Sequence, residues 1–397
     1  MKVMDCENKV SISNISLMWV VTEDPNEQLA STSRLETTQQ LREMGLCVTL
    51  ICIGPSNQKI VRGVEVLCFP TVDIYFFRKL IFHLQVLCYI FMQKSPPEFI
   101  LFHEDSIPWL LPLRLIRFIR RRVRPLLVVD TRSVDMSAEI KHGWNIKLRR
   151  LYLHLMILAA NRWADGRTVI TSRMATAIHI PSNRLWGIWP SGVNLKHFSH
   201  LQNTRQWPTP AMSIQLIYIG SFEPERRLMN LCLATQQANN EGMNFILMIV
   251  GSGPEREDLE KFATKTNGRV KVFPAVPYEH IPNILGQAHI GALPFPDNEK
   301  FQVSSPIKLF EYMASGLPIL ATRIHCHTDV IRNGKYVFWA EGAEVEDLIA
   351  ALRIAWNNRV SLAQMGAESA RAAQQFTWHE SAKKLKNALE YGLVTDL

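Results

Sequence analysis

Short runs of β-branched and aromatic residues alternate with amphipathic segments along both halves of the chain. This alternation is typical of strand–helix–strand units, which assemble into parallel sheets. In the first half, strands are predicted at residues 15–21, 47–54, 64–70, 98–104, 126–132 and 167–173. In the second half, they are predicted at residues 215–220, 244–251, 270–276, 290–295, 318–323 and 336–340. The pattern therefore predicts an α/β protein of two Rossmann-like, doubly wound domains facing across a cleft, with ligands at the carboxyl ends of the strands.

A polar segment at residues 199–213 carries two prolines and has neither helical nor strand periodicity, so it is predicted to be a linker. Since 397 residues exceed the usual size of one domain, we expect an N-terminal domain over 1–200 and a C-terminal domain over 213–377. A C-terminal helix over 378–397 is expected to pack back on the N-terminal domain.

The composition is that of a globular protein, with 47% hydrophobic and 20% charged residues. The net charge of +8 indicates an anionic partner, which would be nucleic acid, anionic lipid or a phosphorylated ligand. The seven cysteines are scattered and form no C-x-x-C pair, which predicts reduced thiols in the cytoplasm. The N-terminus lacks the apolar stretch of a secretory signal.

The sequence FQVSSPIKLFEYMASG at residues 301–316 has the signals of a short helix. Ser304 or Ser305 is predicted to cap it, and Pro306 suits its first position. Gly316 suits its end, which gives a helix of about ten residues.

Lys308 lies in the first turn of this predicted helix, where the helix dipole opposes a cation. One interpretation is an ion pair with Glu311, which lies three residues away on the same helix face. Such a pair is worth a few tenths of a kcal/mol. The other is that a bound diphosphate supplies the missing anion and that Glu311 accepts hydrogen bonds from sugar hydroxyls.

Two further loops of the second half follow predicted strands. Arg226 and Arg227 lie just before or within the first turn of a helix, where arginine adds bidentate phosphate contacts to free backbone N–H groups. The alternative is a solvated pair balanced by nearby glutamates. The turn at residues 251–254 permits close ligand approach or is ordinary strand-to-helix punctuation, and it matches neither G-x-G-x-x-G nor a P-loop.

The second half also contains, in this order, YIGSFEPERR, LMIVGSGPEREDLEKF, VKVFPAVPYEHIPNILGQAHIGALPF and SSPIKLFEYMASGLPILAT, with FTWHESAKKLKNAL near the C-terminus. These sequences resemble glycosyltransferase family 4, the glycosyl transferases group 1 enzymes of GT-B fold, and in particular bacterial polysaccharide or lipid-linked glycan glycosyltransferases. The resemblance covers most of residues 216–389. In the first half it rests on LETTQQLREMGLCVTLI and WPSGVNLKHF.

The resemblance makes the C-terminal domain the nucleotide-sugar-binding half and implies roles for its residues. Arg226 and Lys308 would be the catalytic cations that contact the donor diphosphate, and Glu311 would hold the ribose. The other nucleotide-sugar-binding positions that it implies are Gly220, Gly251, Ser305, Pro306 and Ile307. The chain departs from the family pattern at Val303, where an acid usually contacts the transferred sugar, and at Ser221, where members often have arginine.

The implied reaction moves a hexose from a UDP- or GDP-sugar to an acceptor hydroxyl, with retention at the anomeric carbon, in cell-surface polysaccharide or glycolipid synthesis. The resemblance implies no metal and no other cofactor. Two alternatives stay open. Because Val303 replaces the family acid, the chain would be a catalytically inactive binding or scaffold protein. The same two-domain fold also occurs in nucleotide-sugar epimerases, which is the other alternative.

The resemblance makes the N-terminal domain the acceptor-binding half, and polar residues follow two of its predicted strands. His103 and Asp105 follow one strand, and Asp130 and Arg132 follow another, so all four are acceptor-side candidates. The more frequent role of such residues is a strand-end cap or an ion pair.

The segment between Ile107 and Arg124 holds six arginines and no acid. On a helix, Arg114, Arg117, Arg121 and Arg124 form one stripe opposite apolar residues. Such a helix either lies on an anionic membrane surface, with the protein peripheral at the cytoplasmic face, or packs on the core with a solvated basic face. Nucleic acid is a weaker alternative, because no known binding module is present. The most apolar window, residues 74–92, is interrupted by charges, which argues against a membrane span.

Overall fold

The computed structural model of the protein describes residues 15–22, 24, 28–55, 57–61, 63–72, 74–93, 95–121, 123–133, 144–209 and 211–395. These residues form two compact units. The first unit comprises the described residues up to Pro190 together with those from Trp378 onward, and the second is Ser191–Thr377.

The first unit contains an eight-stranded sheet of order β3-β4-β2-β1-β5-β6-β7-β8. Its strands are β1 (Ser16–Val20), β2 (Cys47–Ile53), β3 (Asn57–Val61), β4 (Val64–Phe69), β5 (Phe99–Phe102), β6 (Leu126–Thr131), β7 (Gly166–Val169) and β8 (Leu185–Ile188). Neighbouring strands are parallel except β3 and β4, which are antiparallel. The central strands are buried on both faces, which explains their continuous apolar runs.

The first helices of this unit are α1 (Gln28–Glu43), α2 (Tyr75–Met92), α3 (Leu110–Ile119), α4 (Trp144–Trp163) and α5 (Ser172–Ala177), with a 3₁₀ helix at Glu104–Trp109. Helix α3 begins directly after that 3₁₀ helix and ends at Ile119, so the basic segment of the sequence is helical only in part.

The second unit contains a six-stranded parallel sheet of order β11-β10-β9-β12-β13-β14. Its strands are β9 (Ile214–Ser221), β10 (Phe245–Ser252), β11 (Val270–Pro274), β12 (Ile290–Leu293), β13 (Ile319–Thr322) and β14 (Val337–Ala340). The chain runs from β9 outward in one direction and from β12 outward in the other. The carboxyl ends of β9 and β12 therefore bound the topological switch point, where open α/β sheets bind their ligands.

The helices of the second unit connect and cover these strands. They are α6 (Leu195–Phe198), α7 (Leu201–Thr204), α8 (Leu228–Asn240), α9 (Arg256–Ala263), α10 (Ile281–Leu285), α11 (Glu299–Gln302), α12 (Ile307–Ala314), α13 (His325–Ile331), α14 (Val345–Asn357) and α15 (Leu362–Ala373). Short 3₁₀ helices lie at Pro224–Arg226, Tyr278–His280 and Arg359–Ser361.

The last helix, α16 (Trp378–Thr395), belongs to the first unit. Helices cover both faces of the first sheet. The buried cluster around Trp19 includes Leu41 of α1 and Leu389 of α16. The cluster around the neighbouring Met18 includes Phe82 of α2, Leu113 of α3 and Ala160 of α4. Since successive strand residues point to opposite faces, α1 and α16 lie on one face of the sheet, and α2, α3 and α4 lie on the other.

Each strand predicted from the sequence overlaps an observed strand, and the two-domain α/β class is confirmed. The prediction omitted β3 and β8, which are the two edge strands of the first sheet. Strand β3 has the sequence NQKIV, which begins with three polar residues and carries little strand signal. It forms because it pairs with β4, which supplies its backbone hydrogen bonds.

The segment predicted to be a linker, residues 199–213, is instead packed into the second unit. It contains α7, and Leu201 is buried in the core of this unit. Arg205 is also buried and donates hydrogen bonds to the carbonyl oxygens of Leu285, Ala288 and Ser315. The prolines and polar residues correctly indicated an irregular backbone, but the buried Arg205 fixes this segment to the C-terminal ends of α10 and α12.

Candidate functional site

Arg226 lies in the second unit at the switch point between β9 and β12. It ends the 3₁₀ helix after β9. Its guanidinium lies over the rings of Phe295 and Phe301, 4.7 and 5.0 Å from their centroids. The two rings stack on each other at 4.6 Å. Cation–π contact holds the guanidinium in place without neutralising it, so its N–H donors stay available for an anion.

Arg227 differs from Arg226 in its role. It adopts a left-handed backbone conformation, with φ of 54°, and is the N-cap of α8. The prediction that Arg226 and Arg227 lie just before a helix is confirmed. Of these two arginines, only Arg226 packs against Phe295, which follows β12, and Phe301, which lies in α11.

Helix α12 contains the lysine of the opening motif and begins at Ile307. Its N-cap is Pro306, and no side chain caps it. The prediction that Ser304 or Ser305 caps this helix is therefore wrong. The Leu309 N–H donates to the Pro306 carbonyl oxygen at 3.1 Å. Since the first N–H groups of a helix have no intrahelical partner, the N–H groups of Ile307 and Lys308 at the uncapped start of α12 are donors that an anion would accept.

The two serines are occupied elsewhere. The Ser304 hydroxyl donates to the carbonyl oxygen of Phe301 at 3.0 Å. The Ser305 hydroxyl accepts from the Ser191 backbone N–H at 3.1 Å, and the Ser191 hydroxyl donates to the Ser305 carbonyl oxygen at 2.9 Å. This reciprocal pair is buried and holds the chain extended before α12.

Lys308 and Glu311 come together on one face of α12, as their spacing predicted. Lys308 Nζ lies 3.7 Å from Glu311 Oε2, and their side chains are 19% and 2% exposed. That distance is an ion pair but too long for a hydrogen bond. Glu311 Oε2 is buried and has no hydrogen-bond partner among the described residues. A buried carboxylate oxygen with an unused acceptor is expected to receive a hydroxyl or N–H from a ligand.

Cys326 of α13 forms a hydrogen bond with Ser304, which lies just before α12, and is close enough to Arg226 to be affected by its charge. Burial raises the pKa of the Cys326 thiol to about 12, although the Ser304 hydrogen bond and the Arg226 charge act in the opposite direction. Cys326 is therefore a neutral, inert thiol. The structure places Arg226 and Lys308 at the same edge of the sheet, but no direct contact between them occurs within the described residues.

Gly220 and Gly251 pair in register at the ends of β9 and β10. A Cβ atom on Gly251 would lie 1.8 Å from the Gly220 carbonyl oxygen. The close approach of the two strands therefore explains the glycine at residue 251 without a ligand, in line with the punctuation interpretation of this turn.

Several site residues were absent from the sequence-based prediction. Phe295 and Phe301 hold Arg226, but no sequence pattern identifies aromatic residues that meet only in the folded unit. Glu255 was also missed: its Oε2 is buried without a hydrogen-bond partner among the described residues, and burial raises the pKa of its carboxyl group.

Val303 lies between α11 and α12 and is buried. The nearby His327 is fully buried in α13, and its Nδ1 lies 2.8 Å from the Thr322 carbonyl oxygen. Burial lowers the pKa of His327 to about 4, so the imidazole is neutral at neutral pH. Val303 and His327 therefore add no charge to this part of the site.

In the first unit, Asp130 and Arg132 lie together at the end of β6. Asp130 Oδ1 accepts from Thr168 at 2.7 Å and from Trp189 Nε1 at 2.9 Å. Arg132 lies over the Trp189 ring, 3.8 Å from its centroid, and 3.9 Å from Asp130 Oδ2. Burial raises the pKa of Asp130 and lowers that of Arg132 to about 10. These contacts agree with the strand-end and ion-pair interpretation of both residues.

His103 precedes the 3₁₀ helix after β5 as its N-cap, and its carbonyl oxygen accepts from the Ser106 N–H. The side chain of Asp105 lies outside the described part of the structure. Among the described side chains of the acceptor-side candidates, the structure brings Asp130 and Arg132 together.

The predicted basic stripe of α3 differs from the structure. Arg117 donates both guanidinium ends to Asp165, at 2.6 and 3.0 Å, and Arg114 Nη1 lies 3.5 Å from the same carboxylate. Arg124 pairs with Glu98 at 2.9 Å. Acids distant in sequence thus neutralise three of the four arginines, while the apolar residues predicted to be opposite them are exposed.

Among the helices that the structure describes, none has the length and apolarity needed to cross a bilayer. Within the same residues, no group of three or more His, Cys, Asp or Glu side chains is placed to hold a metal ion.

Comparison with known proteins gives a family match for most of the second unit. Residues 201–373 match the family model described as Glycosyl transferases group 1. Sulfoquinovosyl transferase SQD2 of Arabidopsis thaliana is 25% identical over 253 residues, which are 62% of this chain and 47% of the relative. The chain thus spans about half the length of that curated relative.

Solved structures resemble the chain over nearly all its length. Sucrose-phosphate synthase from Thermosynechococcus elongatus aligns with a TM-score of 0.74 and 14% identity, covering 96% of this chain and 99% of that one. Anabaena Alr3699/HepE in complex with UDP and glucose aligns with a TM-score of 0.70 and 15% identity, covering 95% and 100%. The chain therefore has the GT-B fold of two Rossmann-like domains, and its residues 201–373 match the glycosyl transferases group 1 family model.

Proposed function

We propose that the protein is a retaining glycosyltransferase that moves a hexose from a UDP- or GDP-sugar to an acceptor hydroxyl. The observation that carries the proposal is the start of α12, where a mostly buried lysine, uncapped N–H groups and a buried carboxylate oxygen without a hydrogen-bond partner lie within one turn. This set of groups matches a nucleoside diphosphate, which has anionic phosphates next to ribose hydroxyls.

The chemistry follows from where charge develops. Departure of the diphosphate builds negative charge on its oxygens, and fixed donors at that place stabilise the transition state. Lys308 and the N–H groups of α12 would bind the phosphates, together with Arg226. Glu311 would accept the ribose hydroxyls. The proposal needs no metal ion, since two cations and a helix N-terminus supply the positive charge.

The identity of the sugar remains a separate proposal. Val303 is apolar where the family usually has an acid, so the neighbourhood of the transferred sugar lacks a carboxylate at this position. Alr3699/HepE was solved with UDP and glucose, and SQD2 is described as a sulfoquinovosyl transferase. Both names support a hexose or a modified hexose as the transferred group.

We further propose that the first unit binds the acceptor, a glycan or a lipid-linked glycan, at the cytoplasmic face of the membrane. The product would then enter cell-surface polysaccharide or glycolipid synthesis. The structure of WaaG, described as a glycosyltransferase involved in lipopolysaccharide biosynthesis, aligns with a TM-score of 0.66 and supports such a setting.

Val303 also favours a second candidate, a non-catalytic binding protein that keeps the nucleotide site. Thermal-shift screening of UDP- and GDP-sugars, followed by transfer assays and NMR of the product anomer, separates the candidates. Stabilisation with transfer and retained configuration supports the proposal. Stabilisation without transfer supports the binding protein, and conversion of the donor without acceptor would identify an epimerase. No shift with any nucleotide sugar would contradict the shared nucleotide site.

A further inference from the structure

Arg132 at the carboxyl end of β6 keeps unused hydrogen-bonding capacity. Its Nη1 donates to the Trp189 carbonyl oxygen at 3.3 Å, whereas its Nη2 is buried and has no hydrogen-bond partner among the described residues. The side chain is 9% exposed. A buried guanidinium N–H without a partner is unfavourable, because it has lost water and gained no acceptor in return. This donor is therefore expected to receive an acceptor from a ligand.

The Arg132 guanidinium is held in place by the Trp189 ring, over which it lies. Trp189 is fully buried and is itself fixed on two sides. Its Nε1 donates to Asp130, and its ring meets the Trp19 ring edge-on at 5.7 Å. Contact with an aromatic ring orients a guanidinium without neutralising its charge. Arg132 thus has a fixed direction before any ligand binds.

Asp130 does not use up this capacity. Its Oδ1 accepts from Thr168 and Trp189. Its Oδ2 lies 3.9 Å from Arg132 Nη1, which is too long for a hydrogen bond. The atom nearest the carboxylate is Nη1, so Nη2 lies outside the ion pair. Asp130 therefore holds Arg132 by charge and leaves one edge of the guanidinium for another anion.

Arg34 of α1 adds positive charge at the same place. Its side chain is buried. Burial is the main cause of the lowered pKa of Arg132, and the Arg34 charge lowers that pKa further. Burial raises the pKa of Asp130, whereas the charges of Arg132 and Arg34 lower it. Arg34 is therefore close enough to raise the positive potential that an anion would meet at Arg132.

This group of residues lies just beneath the surface of the first unit. Ser133, which follows Arg132, is exposed. The carboxyl ends of parallel strands are also the edge at which open α/β sheets bind their ligands. A guanidinium with an unused edge suits a carboxylate or a phosphate, because the oxygens of both groups match its planar fork.

We propose that Arg132, supported by Arg34, binds an oxyanion of the acceptor, so that the acceptor is a glycan carrying a carboxylate or a phosphate. The inference rests on the proposed function, in which the first unit binds the acceptor, and it adds the chemical class of that acceptor. A uronic acid would supply the carboxylate, and a phosphate monoester would supply the phosphate. Both present the pair of oxygens that the unused edge of Arg132 requires.

Binding of the full chain to a panel of glycans tests the proposal. The panel contains glycans with a uronic acid, glycans with a phosphate monoester, and neutral glycans of the same length. We expect at least one charged class to bind at least about tenfold more tightly than the neutral class, because a hydrogen-bonded contact between charged groups is worth about that factor or more. The charged class that binds more tightly identifies the source of the oxyanion.

Arg132→Met removes both the charge and the fork, so it should lower the affinity for charged glycans to that for neutral ones. Arg132→Lys keeps the charge but not the bidentate contact, and it should still lower that affinity about threefold, the worth of one hydrogen bond. Arg124→Met is the matched control. Arg124 lies at the opposite end of β6, where it pairs with Glu98, so its loss removes the same charge and should leave the preference unchanged.

The melting temperature of each variant shows whether it is folded, and Arg132→Lys provides the test if Arg132→Met does not fold. The proposal would be overturned by equal binding of charged and neutral glycans, by absence of binding to all three classes, or by an equal loss in Arg124→Met. Binding of charged glycans by a chain that binds neither UDP nor GDP would instead contradict the proposed function and leave the oxyanion site standing.

Discussion

The ion pair of Lys308 with Glu311 gives the most specific prediction about the second unit. Lys308→Met keeps the apolar stem of the side chain and removes its charge, leaving the Glu311 carboxylate alone in a site where it is 2% exposed. Lys261→Met is the matched control, because Lys261 pairs with Glu257 at 2.6 Å while the two side chains are 65% and 79% exposed.

The magnitude follows from distance and burial. At 3.7 Å and an effective dielectric constant of about 20, the Coulomb attraction is about 4 kcal/mol. Removing one member of a buried pair costs about 3 to 5 kcal/mol, because the remaining charge stays desolvated. An exposed pair contributes about 0.2 to 1 kcal/mol. Lys308→Met should therefore lower the free energy of unfolding by about 3 kcal/mol, and Lys261→Met by less than about 1 kcal/mol.

Urea unfolding of the full chain measures both values. The double variant Lys308→Met/Glu311→Gln should recover more than half of the loss, because it leaves no uncompensated charge. A loss in Lys308→Met no larger than that in Lys261→Met would refute the reasoning, since the pair would then be screened by solvent. Equal losses in the single and double variants would show that packing of the lysine stem, not charge, is responsible.

Three further predictions concern stability and catalysis. The pKa of His327 is lowered from 6.5 to about 4, so His327 takes up a proton in the unfolded state before it does in the folded state as pH falls. The free energy of unfolding should therefore drop by up to about 1.4 kcal/mol per pH unit between those two values. His327→Gln should reduce that slope in pH-dependent unfolding, and an unchanged slope would contradict this assignment. Gly251→Ala should lower the melting temperature strongly, because its Cβ would meet the Gly220 oxygen. Gly242→Asn meets no atom within 4 Å but lies at φ +89°, where asparagine is better tolerated than most residues, so it should cost less than Gly251→Ala; equal melting temperatures would show that the strands separate easily. Transfer activity should survive EDTA, and a loss that Mg²⁺ restores would show that the cations of the site do not suffice.

The fold was largely predictable because buried parallel strands leave continuous apolar runs in the sequence. Strands β9 to β14 were all found in this way. Edge strand β3 was not, because its polar residues gain their hydrogen bonds only from β4. The segment at residues 199–213 was misassigned because the buried contacts of Arg205 join residues distant in sequence.

The candidate site was predictable where its residues are neighbours in sequence. Lys308 and Glu311 share a helix face, and three-residue spacing is sufficient to place them together. The helix cap was not predictable. The N–H groups of α12 and the backbone N–H of Ser191 compete for the Ser305 hydroxyl oxygen, and only the tertiary structure decides which of them it accepts from. The support of Arg226 by Phe295 and Phe301 has no sequence signal for the same reason.

The measurement that tests the nucleotide site most directly is calorimetric titration of the full chain with UDP and with GDP. The account predicts that at least one of them binds. Lys308→Met should weaken that binding about 30-fold, the loss of one charge-assisted contact of about 2 kcal/mol, while Lys261→Met should leave it unchanged. Binding of neither nucleotide to the wild-type chain, or undiminished binding to Lys308→Met, would contradict the central claim that the start of α12 receives a nucleoside diphosphate.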